Sequence, residues 1–304
     1  MLACHSERLG RLTGHPVPAW FADAMADAPS SHRVDVEGCS IHFLRWGPPE
    51  GTLPGILFLH GGGAHAQWWS FIAPFFDNDR PVAALDFSGM GDSGRRTEYG
   101  SHVHVPEISA VIEASGLGDG TIIVGHSFGG MVSLITASKY SKQMSGLLLV
   151  DFVVYKPEDH HEWYEDRAPA RPPRIVADRN ELLQRFRLMP PQSCVNQFLV
   201  DYIADHSIRE TEAGWAWTFD PAAYDGLIIG SDHSKILSEL KCPVGFYYGE
   251  HTIEFNAKSG VKDMADLLPE GSPIVGLKDA QHHLMLDKPL EFVEELDKLI
   301  KELI

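Results

Sequence analysis

Gly120-Thr121-Ile122-Ile123-Val124-Gly125-His126-Ser127-Phe128-Gly129-Gly130-Met131 is the stretch on which the reading of this chain turns. Its opening run is short, β-branched and largely apolar, which predicts a buried strand. From Gly130 to Tyr140 the apolar residues Met131, Leu134 and Ile135 have helix-compatible spacing. Ser127 therefore stands where a strand turns into a helix. Glycines two positions to either side leave room for a tight, strained turn that side chains would crowd. Such a turn lifts the hydroxyl clear of the backbone and sets it at a helix N-terminus, where developing negative charge is favoured. Gly-x-Ser-x-Gly alone is a common pentapeptide; the strand before and the helix after give it weight.

Working outward, the chain alternates strand and helix. Val34, Val36, Ile41, Phe43 and Trp46 alternate with polar residues across Glu37-Gly38, predicting a hairpin of half-buried strands. Solid apolar runs follow at Gly55 to Leu59, Pro81 to Leu85, Gly146 to Val150 and Val244 to Tyr248. Solid runs predict strands covered on both faces, as in a parallel sheet. Between them lie helix-length segments at Gln67 to Phe76, Val103 to Ser115 and Ala257 to Leu268. Pro289 to Ile304 opens with proline and repeats Leu290, Val293, Leu296, Leu299, Ile300 and Leu303, an amphipathic helix. The expected fold class is α/β, a doubly wound, mostly parallel sheet.

Residues 1–30 read as an N-terminal extension with one short helix around Pro18 to Ala26. The core is expected over 31–154 and 236–304. Between them, 155–235 carries no strand run but has helix-like patterns around Ile175 to Arg187 and Ser193 to Ile203, and it is rich in aromatics. It reads as a mostly helical cap.

Composition narrows the function classes. The chain has 304 residues, 44% hydrophobic, enough for one large α/β domain with an insertion. A net charge of −17 argues against nucleic-acid or anionic-membrane partners, which attract basic patches. No apolar run approaches the roughly 18 residues a membrane span needs, and Met1 to Trp20 lacks the apolar core of a secretory signal. Cys4, Cys39, Cys194 and Cys242 are scattered without a CxxC pair, which points to reduced thiols and a cytoplasmic setting.

A serine hydroxyl needs a base within hydrogen-bond reach, an acid to hold that base, and amide donors for the developing oxyanion. The donors are expected in Phe58-Leu59-His60-Gly61-Gly62-Gly63, where glycines after a buried strand let bare N–H groups approach a substrate oxygen. Gly62 is the first choice, with Gly61 and Gly63 close behind, and the amide of Phe128 is the second donor. A base is expected late in the chain, where His282-His283 follows the strand-like Ile274 to Leu277 and precedes Pro289. Asp159-His160-His161-Glu162 is not read as a metal site, since adjacent residues do not share a helix face. Trp68 and Trp69 read as anchors of the segment that follows the glycines.

His60-Gly61-Gly62-Gly63, Asp86-Phe87-Ser88-Gly89-Met90-Gly91-Asp92-Ser93, Gly125-His126-Ser127-Phe128-Gly129 and the His282-to-Pro289 loop together resemble the α/β-hydrolase superfamily. The resemblance runs from about residue 33 to 304, with the insertion in the place of that family's lid or cap. It implies a catalytic histidine seven residues before the proline of the final helix, which is His282. It implies an aspartate three residues past a glycine after the seventh strand, but that position holds Thr252, which cannot orient an imidazolium. Some branches instead carry a carboxylate at the end of the sixth strand, and Asp151 stands there, 24 residues after Ser127. Asp151 is therefore the expected acid, with Glu250 and Glu254 in reserve. Asp86 is implied as structural support near the cleft.

The expected function is a serine hydrolase acting through an acyl-enzyme on an ester, lactone or similar activated carbonyl of a small, mostly apolar molecule. No cofactor or metal is required. A serine nucleophile argues against a dehalogenase or epoxide hydrolase, which need a carboxylate. The alternatives on the same fold are a cofactor-free oxygenase, which resembles this chain in carrying its acid after the sixth strand, and a non-catalytic small-molecule receptor. The oligomeric state has no signal in the sequence.

Overall fold

A computed structural model describes residues 14–156, 174–224, 232–252 and 257–304. In chain order the strands are β1 (Ser30–Val36), β2 (Cys39–Trp46), β3 (Ile56–Leu59), β4 (Val82–Leu85), β5 (Thr121–His126), β6 (Met144–Val150), β7 (Ile175–Val176), β8 (Ile208–Thr211), β9 (Gly214–Trp217), β10 (Val244–Gly249) and β11 (Ile274–Leu277). Eight of them form one sheet in the order β1-β2-β4-β3-β5-β6-β10-β11. β1 and β4 lie antiparallel to β2, and every other pairing is parallel.

The solid apolar runs do become strands covered on both faces: β3, β4 and β5 are buried along their whole length. Side chains of a strand alternate between faces, and the core divides accordingly. Ile56, Phe58, Ile122, Val124, Leu148 and Val150 join one cluster, with Phe292, Leu296 and Ile300 from the closing helix. Leu57, Leu59, Ile123, Leu147 and Leu149 join the other, with Ile108 and Val111 from one helix and Val132 and Leu134 from another. The helices supplying these contacts are, in chain order, α2 (Ser101–Ser115), α3 (Phe128–Tyr140) and α9 (Pro289–Leu303). A short α1 (Ala19–Ala26) matches the helix expected in the N-terminal extension, and its Phe21 is fully buried against Phe71, Phe198 and Tyr202.

Two expectations change. The helix expected over Gln67 to Phe76 is instead two 3-10 turns, Ala66–Trp69 and Ala73–Phe75. Pro74 lacks the N–H and crowds the preceding turn, so a continuous helix is broken there. Ring stacking of Trp69 on Phe58, with centroids 4.7 Å apart, anchors the segment to the sheet, as expected for that residue.

The insertion is mixed rather than mostly helical. It holds α4 (Arg179–Leu183) and α5 (Gln197–His206), but also a three-stranded antiparallel sheet in the order β7-β9-β8. Strands of two to four residues are too short to display an alternation in sequence, and the aromatics of Gly214-Trp215-Ala216-Trp217 suit either a strand or a helix. Ile175 and Val176 pair with β9, so the helix expected from Ile175 starts only after Asp178, whose carboxylate accepts from Asn180 N at 2.9 Å. Trp163, Tyr164 and the Asp159–Glu162 cluster lie outside the described residues. α6 (His233–Glu239) runs across the expected end of the insertion at 235, and α7 (Ala257–Leu267) and α8 (Leu284–Asp287) follow. Among the described residues no helix is long and apolar enough to cross a membrane.

The topology gathers the chemistry. His60 to Gly63 follow β3, Asp86 follows β4, Ser127 follows β5, Asp151 follows β6, Thr252 follows β10 and His282 follows β11. All leave the carboxyl edge of the parallel sheet, where open α/β sheets bind ligands.

Candidate active site

Ser127 joins β5 to α3 with φ 52°, ψ −117°, the left-handed half of backbone space. Such a conformation costs a non-glycine residue about 1–3 kcal/mol and persists only where its surroundings over-determine it. They do so here. Ser127 N donates to Val150 O at 2.9 Å, and Ser127 O accepts from Met131 N at 3.1 Å. A side chain on Gly125 would meet Gly129 O at 2.6 Å, and one on Gly129 would meet Leu59 O at 2.6 Å. Both glycines are thus required by close backbone approach. The serine is half-buried at the start of α3, where the aligned peptide dipoles favour an anion.

His282 donates from Nδ1 to Asp151 Oδ2 at 2.6 Å, with both side chains buried. That bond requires the tautomer with hydrogen on Nδ1 when the ring is neutral, which leaves Nε2 as the acceptor. Asp151 itself sits at φ 47°, a region Asp tolerates better than most residues. Its Oδ1 accepts from Gly249 N at 2.9 Å, and Thr252 Oγ1 lies 3.0 Å from Oδ1 and 3.1 Å from Oδ2. Thr252, the residue standing where the resemblance implied an acid, is therefore a donor to the acid on the neighbouring strand. Glu250 is exposed, with its chain beside Gly276 on the far side of β10. Glu254 lies outside the described residues.

The glycine loop is set from both sides. Among the described residues, the amides of Gly61, Gly62 and Gly63 have no hydrogen-bond acceptor. Phe128 is the first residue of α3, so its N–H belongs to the helix start beside Ser127. His60 donates from Nδ1 to Gly61 O at 2.7 Å and accepts at Nε2 from Phe87 N at 3.2 Å, tying the glycine loop to the loop after β4. Burial holds its pKa below the usual imidazole range, consistent with that neutral tautomer. Asp86 continues the linkage: its carboxylate accepts from Ala66 N at 2.5 Å, His42 Nδ1 at 2.7 Å and Asp92 N at 2.9 Å. This is the support expected of it.

Two further histidines surround His282: His283, the other half of the pair in which the base is expected, and His126, to which the sequence assigns no part. His126 donates from Nε2 to the carbonyl of His282 at 2.9 Å, which fixes the main chain bearing that imidazole. His283 packs between Trp68, His126 and His282, with ring centroids 5.1, 5.6 and 5.0 Å away. Burial, and then the neighbouring His282, push the pKa of both well below the imidazole range. Ring nitrogens of His126, His282 and His283 lie within 4.8 Å of one another. A tetrahedral zinc ion would draw them to about 3.3 Å, and both the His126 and the His282 ring already hold hydrogen bonds. Cys39, Cys194 and Cys242 are free thiols.

Comparison with known proteins extends these observations. Residues 56–295 match the family model described as the alpha/beta hydrolase family. A "serine hydrolase-like protein" of Danio rerio is 25% identical over 209 residues, covering 64% of this chain and 63% of that protein. The "Esterase Rv0045c" of Mycobacterium tuberculosis is 30% identical over 129 residues, 42% of this chain and 41% of that protein. The chain thus spans less than two thirds of the length of either curated relative. Among solved structures, E-2-(acetamidomethylene)succinate hydrolase superposes with a TM-score of 0.73 at 21% identity, over 90% of this chain and 99% of that one. At that identity the likeness concerns the fold.

Proposed function

The chain belongs to the alpha/beta hydrolase family, and we propose that within it this protein is a serine hydrolase cleaving an ester, lactone or similar activated carbonyl of a small, mostly apolar molecule. Ser127 Oγ attacks the carbonyl carbon while His282 Nε2 takes its proton. Asp151 keeps His282 in the Nδ1–H tautomer and stabilises the imidazolium that forms. The amides of Gly62 and Phe128 receive the tetrahedral oxyanion, an interaction whose loss typically costs about 10²–10³ in turnover. His282 then gives its proton to the leaving alcohol, and water activated by the same histidine releases the acid from the acyl-enzyme.

The observation carrying this reading is the 2.6 Å bond from His282 to Asp151, in a site whose serine is held at φ 52° on a helix start. Hydrogen bonding to its neighbours orients the imidazole before any substrate arrives, and the strained turn presents the hydroxyl. The names of the relatives, a serine hydrolase-like protein and an esterase, support the same chemistry.

One observation also suits a second reading: Asp151 follows the sixth strand, as the acid does in cofactor-free oxygenases of this fold. There the histidine deprotonates the substrate and the serine is never acylated. A fluorophosphonate probe separates the two. The expected result is one phosphonyl group per chain, located on Ser127 by mass spectrometry, together with turnover of p-nitrophenyl esters. A protein that neither labels nor turns over esters would sink the hydrolase reading.

A further inference from the structure

We infer that Thr252 is a positioning residue for the acid of the proposed triad, its hydroxyl holding the Asp151 carboxylate toward His282. The inference deepens the reading of Ser127, His282 and Asp151 as nucleophile, base and acid, and rests on it.

Three donors converge on Asp151: the amide of Gly249, the hydroxyl of Thr252 and the ring N–H of His282. The first two leave the same turn. Thr252 N donates to Gly249 O at 3.1 Å, which closes the turn on itself, and His251 N donates to Ala280 O at 2.8 Å. Gly249 lies so close to the histidine loop that a Cβ would collide with Gln281 O. The turn is therefore clamped between the strand end that carries Asp151 and the loop that carries His282. Thr252 is buried, at 5% exposure, so water does not replace its hydroxyl freely.

The residue type fits the task. A threonine hydroxyl has one proton, and here it faces both oxygens of a single carboxylate at 3.0 and 3.1 Å. The β-branch restricts χ1, so the donor is oriented before the carboxylate needs it. An acid at this position would put two carboxylates about 3 Å apart, and one would have to take up a proton. Threonine supplies a donor and keeps the site at one negative charge. Without it, Asp151 would keep, among the described residues, the Gly249 amide besides His282, and the carboxylate could rotate about χ2 away from the imidazole.

Thr252 is buried with its hydroxyl on Asp151, so its removal should act on turnover rather than on binding. Thr252→Val keeps the shape and deletes the donor, whereas Thr252→Ser keeps the donor. With p-nitrophenyl esters, and with rates referred to folded protein, Thr252→Val should lower kcat by roughly 10- to 100-fold, the size expected for a hydrogen bond to a buried charge. KM should stay within about twofold, and Thr252→Ser should recover kcat to within about threefold of the parent. A second readout does not depend on activity. In a Ser127→Ala background, the far-downfield proton resonance of His282 Nδ1–H should move in Thr252→Val and hold its place in Thr252→Ser. If Thr252→Val keeps its turnover, if the serine variant is as impaired as the valine one, or if the resonance ignores both changes, the inference is overturned. A parent protein that hydrolyses no ester, with a resonance that still answers to Thr252, would remove the proposed function and leave the positioning intact.

Discussion

Two Ser–His–Asp series can be traced in this molecule, one at the candidate site and one outside it. Ser31 Oγ lies 2.9 Å from His42 Nε2, and His42 Nδ1 lies 2.7 Å from Asp86 Oδ2. At the other, His282 Nδ1 lies 2.6 Å from Asp151 Oδ2, and Ser127 follows His126, whose ring bonds the His282 carbonyl. Each aspartate leaves the end of a buried strand, and each imidazole is buried. The serines differ. Ser31 lies in a regular antiparallel strand at the sheet edge, paired with Leu44 and exposed to solvent. Ser127 sits on a left-handed turn at a helix start, across from a glycine loop whose amides have no acceptor among the described residues. The aspartates differ as well, since Asp86 holds Ala66 and Asp92 while Asp151 holds the turn around Thr252. A hydrogen-bonded series of these three residue types can be no more than a joint between strands; the strained turn and the helix start are what set Ser127 apart.

The largest expected contrast is between the serines. Ser127→Ala should abolish the phosphonyl adduct and lower kcat for ester hydrolysis by about 10⁶-fold, as loss of a triad nucleophile does. Ser31→Ala should leave both adduct and rate where they were. Mass spectrometry of the labelled peptides checks this directly, and an adduct on Ser31 would break the comparison.

Next come the aspartates, where the readouts should cross over. Asp151→Asn should lower kcat by about 10⁴-fold while the melting temperature stays close to that of the parent. Asn also tolerates the left-handed backbone there, so the change isolates the charge. Asp86→Asn should leave turnover per folded molecule within about tenfold but lower the unfolding free energy by about 2–4 kcal/mol, because three donors lose a buried charged acceptor. Glu250→Gln, on an exposed side chain, should do neither. Denaturant unfolding run beside ester kinetics on all three variants gives the ranking, and an inverted ranking would reassign the acid.

How far the sequence carried this picture depends on the length over which each signal acts. The strand–helix order around Ser127 was legible because buried parallel strands demand solid apolar runs, and Ile122-Ile123-Val124 has no other use. His282 was legible through its distance from Pro289, which opens α9. Asp151 is legible as a candidate acid through its place at the end of the sixth strand and the threonine at the usual acid position, but what Thr252 does instead is invisible in sequence: it depends on β10 lying beside β6, with Tyr247 registered to Val150. The parts of His126 and His60 were hidden for the same reason, since both act through backbone carbonyls that no residue type advertises. The short strands of the insertion failed as signals because Ile208–Thr211 and Gly214–Trp217 span only two alternations each.

Acid titration gives a smaller contrast. Burial alone would raise the pKa of Asp86, but the His42 hydrogen bond, the charge of that ring and its histidine neighbours outweigh it and set the carboxyl below its ordinary value of 3.8. The unfolded chain therefore takes up this proton first as pH falls. Asp86 contributes stability that is present above about pH 4 and is lost as pH falls through its lower folded pKa. Unfolding free energy measured from pH 5 to pH 2 should fall steeply in the parent and less steeply in Asp86→Asn. Equal slopes would mean that the His42 pair does not govern acid unfolding.

A carboxylate with a like neighbour in place of a histidine should respond with the opposite sign, and more weakly. Asp77 lies beside Asp27, and burial followed by that acidic neighbour raises its pKa from 3.8 to about 7. The folded state then holds a proton that the unfolded chain has already released between those values. Its contribution is complete below about pH 4 and is lost as pH rises through about 7. Because Asp77 is partly exposed, water and salt screen the effect, which keeps it below that of Asp86. Asp77→Asn keeps a neutral group beside Asp27 at every pH, so it should raise the melting temperature at pH 8 and change it little at pH 4. Melting curves of the two proteins that run parallel across that range would show that the Asp77 carboxyl is not raised, and that partner identity is not what sets the sign.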